Sequence, residues 1–143
     1  MSKSNATETA LLALIFNATT FADIAEDDTT SPATNLYVSI HTGDPGEAGT
    51  QSTNECAYGS YARVAVVRSA VGWTVSGNLA TNAALIQFPS CTSGSETATH
   101  FGVGVSSAGA GVLLYSGALS ASLAISSGIQ PQFAAGALDV TED

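Results

Sequence analysis

The stretch that decides the fold is "NLYVSIHTGDPGEAGTQSTNE", residues 35–55. It opens with the β-favouring run "LYVSIHT" and ends in a turn rich in Gly, Pro and Asp. The residues before it follow a helical spacing, and the residues after it alternate between short strands and turns. Because the stretch also places His41 close to Asp44, it raises the question of whether an active site begins here.

The helical pattern upstream covers residues 5 to 25. Asn5 followed by Glu8 fits an N-cap with an acidic group three residues later, which satisfies free backbone donors at a helix start. The spacing i, i+3, i+4, i+7 then predicts one apolar face. That face comprises Leu11, Leu14, Ile15, Ala18 and Ala22.

Two aromatic residues, Phe16 and Phe21, lie off this apolar face. The pattern therefore predicts either a break near residues 17–20 or a helix with two buried sides. Residues 23–28, "DIAEDD", hold four acidic side chains, which oppose the dipole at a helix C-terminus. We expect the helix to stop or fray there, with residues 29–34 as a linker.

The rest of the chain reads as about eight or nine short strands at intervals near ten residues. The predicted strands cover residues 36–42, 61–69, 72–78, 81–89, 99–107, 112–119, 122–128 and part of 129–143. This spacing predicts a mainly β fold, an antiparallel β-sandwich or jelly-roll-like barrel with an N-terminal α-helical arm. We predict an arm and acidic linker over residues 1–34 and a β-sandwich domain over 35–143.

The chemistry around His41 favours a strand running into a loop rather than an active site. In strand alternation Leu36, Val38 and Ile40 share the core face, so His41 is expected to point outward or to an interface. Asp44 before Pro-Gly is ordinary turn chemistry, and no G-x-S-x-G elbow is present. We therefore predict no enzyme activity, no catalytic residues, no cofactor and no metal site, with a small hydrolase as the alternative.

Composition narrows the classes of partner. Charged residues make up 10% of the chain against a usual share of about 25%. The net charge is −9, from twelve acidic and three basic residues. Nucleic acids and anionic membranes bind to clusters of Lys and Arg, so we expect neither as a partner. Cys56 and Cys91 fit no metal motif. We expect buried or half-buried free thiols, with a disulfide as the alternative. The sequence also shows no secretory signal and no membrane-spanning run.

Several segments together resemble a family of small tailed-phage virion proteins. They are "LYVSIHTGDPGEAGTQSTNE", "YARVAV", "GWTVSGN", "FPSCTSGSETATHFGVG", "GVLLYSGAL" and "SSGIQPQFAAGAL". The most specific are "IHTGDPG", "THFG" and "FAAGAL", and the resemblance spans residues 35–140. Members are often labelled tail fibre or minor tail proteins, and similar small β-proteins decorate phage heads.

The resemblance implies a structural protein of the virion, assembled in the bacterial cytoplasm. We expect a capsid decoration (cement) protein, a homotrimer that binds the major capsid protein and takes no small-molecule substrate. The alternative is a tail component, such as a minor tail, tip or fibre protein. The expected interface residues are Leu11, Leu14, Ile15, Phe16, Phe21, Tyr37, His41, Asp44, Tyr58, Tyr61 and Trp73.

Overall fold

A computed structural model describes residues 3–142 of the chain. Strands hold 38% of the residues and one helix holds 9%, which confirms the predicted mainly β class with an N-terminal helix. The elements are α1 Asn5–Asn17, β1 Asn35–His41, β2 Val64–Val67, β3 Trp73–Ser76, β4 Leu79–Asn82, β5 Ile86–Gln87, β6 Ser95–Gly104, β7 Leu113–Ser126, β8 Gln132–Phe133 and β9 Asp139–Thr141. Among residues 3–142 no helix is both long enough and apolar enough to span a membrane.

The strands form three open antiparallel sheets. Their orders are β2-β1-β6-β7, β3-β4-β9 and β5-β8, so the described strands close no barrel. In the largest sheet β1 pairs with β6 from Tyr37 opposite Gly104 to His41 opposite His100. β1 and β6 are therefore inner strands, and β2 and β7 are the edges.

The chain forms two compact units. The first contains residues 3–35, 66–86 and 133–142, and the second contains residues 36–65 and 87–132. The helix thus shares its unit with later segments of the chain. The predicted division after residue 34, which concerns separately folding domains, stays a prediction.

In the first unit, α1 begins and ends at polar or left-handed residues. The Ser4 side chain accepts a hydrogen bond from the Thr7 N–H at 3.3 Å, so the predicted cap at Asn5 is wrong by one residue. The helix ends at Asn17, and Ala18 follows in the left-handed region with φ of 52°. The predicted break within residues 17–20 is thereby confirmed, and the expectation that the helix stops or frays at residues 23–28 is wrong because it ends earlier.

The buried face of α1 differs from the predicted apolar face. Glu8, Leu12 and Phe16 are its buried residues, four apart. Of the predicted face, Leu11, Leu14, Ile15 and Ala18 are half-buried, and Ala22 is exposed and lies beyond the helix. Phe16 packs edge-on against Trp73, with ring centroids 4.7 Å apart. The aromatic ring off the predicted stripe therefore sets the orientation of α1 on β3 and β4.

The last turn of α1 is held by Arg68. Its guanidinium donates to the carbonyls of Leu14 and Ile15 at 2.6 and 2.5 Å and to the Asp27 carboxylate at 2.6 Å. Carbonyls in a last helical turn have no partner within the helix, so a cation there both satisfies them and suits the helix dipole.

Several strand boundaries differ from the prediction, and two predicted strands are divided differently. The predicted strand 81–89 is covered by two strands, β4 and β5, and the Asn82 side chain at the end of β4 donates to the Ala84 and Ala134 carbonyls. The predicted strands 112–119 and 122–128 are one strand, β7, whose pairing with β6 shifts register between Ala118 and Leu123. A serine-rich stretch that reads as a turn is accommodated there as a bulge.

Candidate interaction site

The second unit holds the β6–β7 hairpin, and a buried arginine fixes its tip, residues 106–111. The Arg63 side chain is 2% exposed and donates to the carbonyls of Ser106 and Gly109 at 2.9 and 2.7 Å. Its other donors form a two-bond pair with Glu55, both at 2.7 Å. A planar guanidinium that satisfies a carboxylate and two carbonyls holds all three in one geometry.

A second buried side chain, Gln51, holds the same tip. Its Nε2 donates to the Ser106 carbonyl at 3.3 Å, and its Oε1 accepts from the Ser106 N–H at 2.9 Å. The Gln51 N–H donates to the Gly111 carbonyl at 3.0 Å. A Cβ at Gly104 would collide with the Gln51 side chain, so glycine is required at that position of β6.

Two groups that bond to Glu55, Arg63 and Tyr61, keep one protonation state near neutral pH. The hydrogen bonds that Arg63 donates to Glu55 raise the pKa of the Arg63 guanidinium. Tyr61 donates its hydroxyl to Glu55 at 2.9 Å, and burial raises the pKa of this phenol well above its ordinary value. Arg63 therefore remains charged and Tyr61 remains neutral near neutral pH. The hydrogen bonds from Arg63 to the tip do not depend on pH in that range.

A cleft of about 490 Å³ lies beside the start of β7. One wall is the loop of residues 44–49, and the other wall is four consecutive strand residues, 113–116. Because side chains alternate between the two faces of a strand, contact with four residues in a row means that the cleft runs along the strand edge. The exposed side chains of Asp44 and Glu47 stand at its rim.

His41 lies in the interior, so the expectation that it points outward is wrong. Its ring is fully buried, with Nε2 2.8 Å from the Ser39 Oγ and Nδ1 2.9 Å from the Thr53 carbonyl. β1 is an inner strand, and the segment after it covers the second face of the strand. Desolvation by this burial lowers the pKa of His41.

The suspected His41–Asp44 pair does not form. Both ring nitrogens of His41 are bonded elsewhere, and the Asp44 carboxylate accepts the Gly46 N–H at 2.9 Å as a turn residue. Ser39 is also fully buried. A serine and a histidine without access to substrate are arranged to lock a core, not to attack an acyl group.

The other expected interface residues divide by burial. Phe16, Tyr58 and Trp73 are buried, so their side chains pack within the chain rather than at its surface. Asp44 is exposed. The half-buried residues are Leu11, Leu14, Ile15, Phe21, Tyr37 and Tyr61. Their role at an interface stays a prediction.

The clamp formed by Gln51, Glu55 and Arg63 was not predicted from the sequence. One signal was present: Arg63 is one of three basic residues in a chain with twelve acidic ones, and it sits in a β-rich stretch. Any of the twelve acidic residues could pair with Arg63 as far as the sequence shows, and the fold is needed to identify Glu55 as the partner.

The described residues show neither a metal-binding cluster nor a disulfide. Within residues 3–142 no group of three or more His, Cys, Asp and Glu side chains lies close enough to hold a metal. Cys56 and Cys91 are both free and buried, as the thiol reading predicted. Burial raises the pKa of the Cys56 thiol to about 12, helped by the nearby Glu96 carboxylate.

Open antiparallel sheets, a hairpin tip held by buried side chains and a cleft beside β7 characterise this mainly β protein. A model of the family described as podophage GP4 fiber I protein gp80 matches residues 2–141, and the chain belongs to this family. The match confirms the resemblance to tailed-phage virion proteins and extends it over α1. No curated protein matches the chain. It is thus a structural, fibre-type protein of a phage virion.

Proposed function

We propose that this chain is a tail-associated fibre subunit of a short-tailed phage, joined to other virion proteins through its β module. The family match over residues 2–141 carries this proposal, because the family is described by a fibre protein of a podophage. The tail alternative therefore fits the family better than the capsid decoration function.

The geometry of the second unit supports a docking role. A buried Arg63–Glu55 pair and a buried Gln51 fix six small residues, 106–111, that contribute little to a core. Exposed Val105 and Val112 flank this tip. Rigid presentation of an exposed loop lowers the ordering cost when a partner binds it.

The capsid decoration function stays a prediction, as do the homotrimer and the contact with the major capsid protein. A decoration protein is distinguished by its effect on the head: without it, capsids break at a lower temperature. A fibre subunit is distinguished by its effect on the tail: without it, particles keep their heat stability and lose adsorption to the host.

Labelling of purified virions tests the proposal directly. An antibody against this chain, with gold as the marker, is expected to mark the tail end of the particle. Label spread over the capsid would overturn the proposal. Particles that lack the chain provide the control for antibody specificity and the material for the heat and adsorption assays.

A further inference from the structure

We infer that the cleft beside β7 takes an extended, basic segment of a neighbouring virion protein, which adds a strand to the edge of β7. The inference rests on the proposed function, because it supplies the partner through which a fibre subunit would be attached. The proposed segment carries Lys or Arg, and its backbone forms hydrogen bonds with the backbone of β7.

The first step is the free strand edge. Within residues 3–142, β7 is the outermost strand of its sheet and pairs only with β6. The Val112 carbonyl accepts the Val105 N–H at 3.2 Å, so this carbonyl points toward β6. Backbone groups alternate along a strand, so those of the next residue, Leu113, face away from β6. Leu113 is also one of the residues that line the cleft.

The regular part of the β7 edge is short. β7 pairs with β6 in one register from Tyr115 to Ala118, and the register shifts on both sides of this stretch, at Leu114 and between Ala118 and Leu123. A bulge bends a strand and interrupts further pairing. The edge therefore offers four residues in regular register, enough for a short added strand.

The β7 edge lacks the residues that usually prevent an edge strand from pairing with another chain. Natural proteins guard edge strands with charges, prolines or a covering segment, since an unguarded edge pairs with other chains. β7 contains no charged residue and no proline, and no Asp, Glu, Lys or Arg occurs anywhere in residues 97–138. The two register shifts bound the stretch from Tyr115 to Ala118, and this stretch has no bulge of its own to block a partner strand.

The negative charge at the cleft rim favours a basic partner segment. Asp44 and Glu47 are exposed at the cleft rim, in a chain with net charge −9. A second copy of the chain would bring the same two carboxylates to the contact, and like charges oppose association. A segment with Lys or Arg meets complementary charge instead, so a basic segment of another protein is favoured.

The test uses phage particles that lack the chain, to which the purified full-length chain is added back. Asp44→Asn with Glu47→Gln removes the rim charges and keeps the Asp44 side chain able to accept from Gly46. Binding is expected to weaken roughly two- to thirty-fold, as for two exposed charge pairs. The effect should shrink at high salt.

The matched control is Glu26→Gln with Asp28→Asn. It removes the same charge from another exposed pair, and Asp28 likewise accepts a turn N–H, from Thr30 at 2.8 Å. This control is expected to bind like the wild type. Equal weakening in both double variants would assign the effect to net charge and overturn the inference.

A second pair of variants probes the strand edge. Ser116→Lys puts a positive charge on the cleft wall and should weaken binding, whereas Ser126→Lys at the far end of β7 should not. Unchanged binding by the Ser116 variant would overturn the inference. If the chain still labels the tail in that case, the proposed function stands; if it labels the capsid, the proposed function fails separately.

Sedimentation of the purified chain tests whether a second copy of the chain occupies the cleft instead. The inference expects Asp44→Asn with Glu47→Gln to leave its oligomeric state unchanged. A self-association that this variant strengthens and Ser116→Lys abolishes would assign the cleft to a second copy and overturn the inference.

Discussion

Replacing Arg63 with alanine is expected to destabilise the second unit by about 3–5 kcal/mol, the usual cost of removing one partner of a buried ion pair. Arg63 is 2% exposed at its side chain, and its partner Glu55 is 14% exposed. The variant leaves the Glu55 carboxylate without its cation. It also leaves the Ser106 and Gly109 carbonyls without the donors that hold the hairpin tip.

The expected loss is a large share of a domain's stability, which is typically about 5–15 kcal/mol. Urea unfolding followed by far-ultraviolet circular dichroism measures it. With a slope of about 1–3 kcal/mol per molar urea, the midpoint should fall by at least about 1 M. Hydrogen exchange should accelerate at residues 106–111, because the clamp that orders them is gone.

The matched control is Lys3→Ala. Lys3 contacts Glu142 at 2.9 Å, but its side chain is 37% exposed, so an effect of about 0–1 kcal/mol is expected. A loss below about 1 kcal/mol for Arg63→Ala, or unchanged exchange at the tip, would refute the reasoning that the buried pair fixes the hairpin.

Three further predictions concern other buried groups. Arg68→Ala should speed proteolysis within residues 18–34, because the last turn of α1 and Asp27 lose their anchor; unchanged cleavage would contradict this. The lowered pKa of His41 means that the folded chain holds it neutral, so its contribution is complete above pH 6.5 and is lost as pH falls below 6.5. Stability should drop there by up to about 1.4 kcal/mol per pH unit, and a slope that persists in His41→Gln would argue against it. Cys56, with its pKa raised to about 12, should resist a thiol reagent at pH 8 until the chain unfolds; rapid modification of the folded protein would exclude the buried thiol.

Local patterns in the sequence predict much of the fold. β-Branched and aromatic residues alternate from Leu36 to His41, and the structure has β1 there. The strand predicted over residues 72–78 is found as β3, and Gly77 follows it with φ of 61° in the turn to β4. Such features depend on neighbouring residues, so a single sequence reveals them.

Features that depend on distant parts of the chain could not be predicted in the same way. Alternation placed His41 outward, yet a later segment covers that face of β1 and the Thr53 carbonyl bonds the ring. The pairing of Arg63 with Glu55 and its contact with the tip 43 residues later need the closed hairpin. The cleft at residues 113–116 likewise exists only because the loop of residues 44–49 lies across from β7.

The central claim, that this chain is a structural subunit of a phage tail, is tested most directly by counting its copies in purified virions. Quantitative mass spectrometry with isotope-labelled peptides gives the ratio of this chain to the major capsid protein. The account predicts a small ratio, with few copies per particle that remain with isolated tails. A ratio near one copy per capsid subunit, recovered with empty heads, would contradict it.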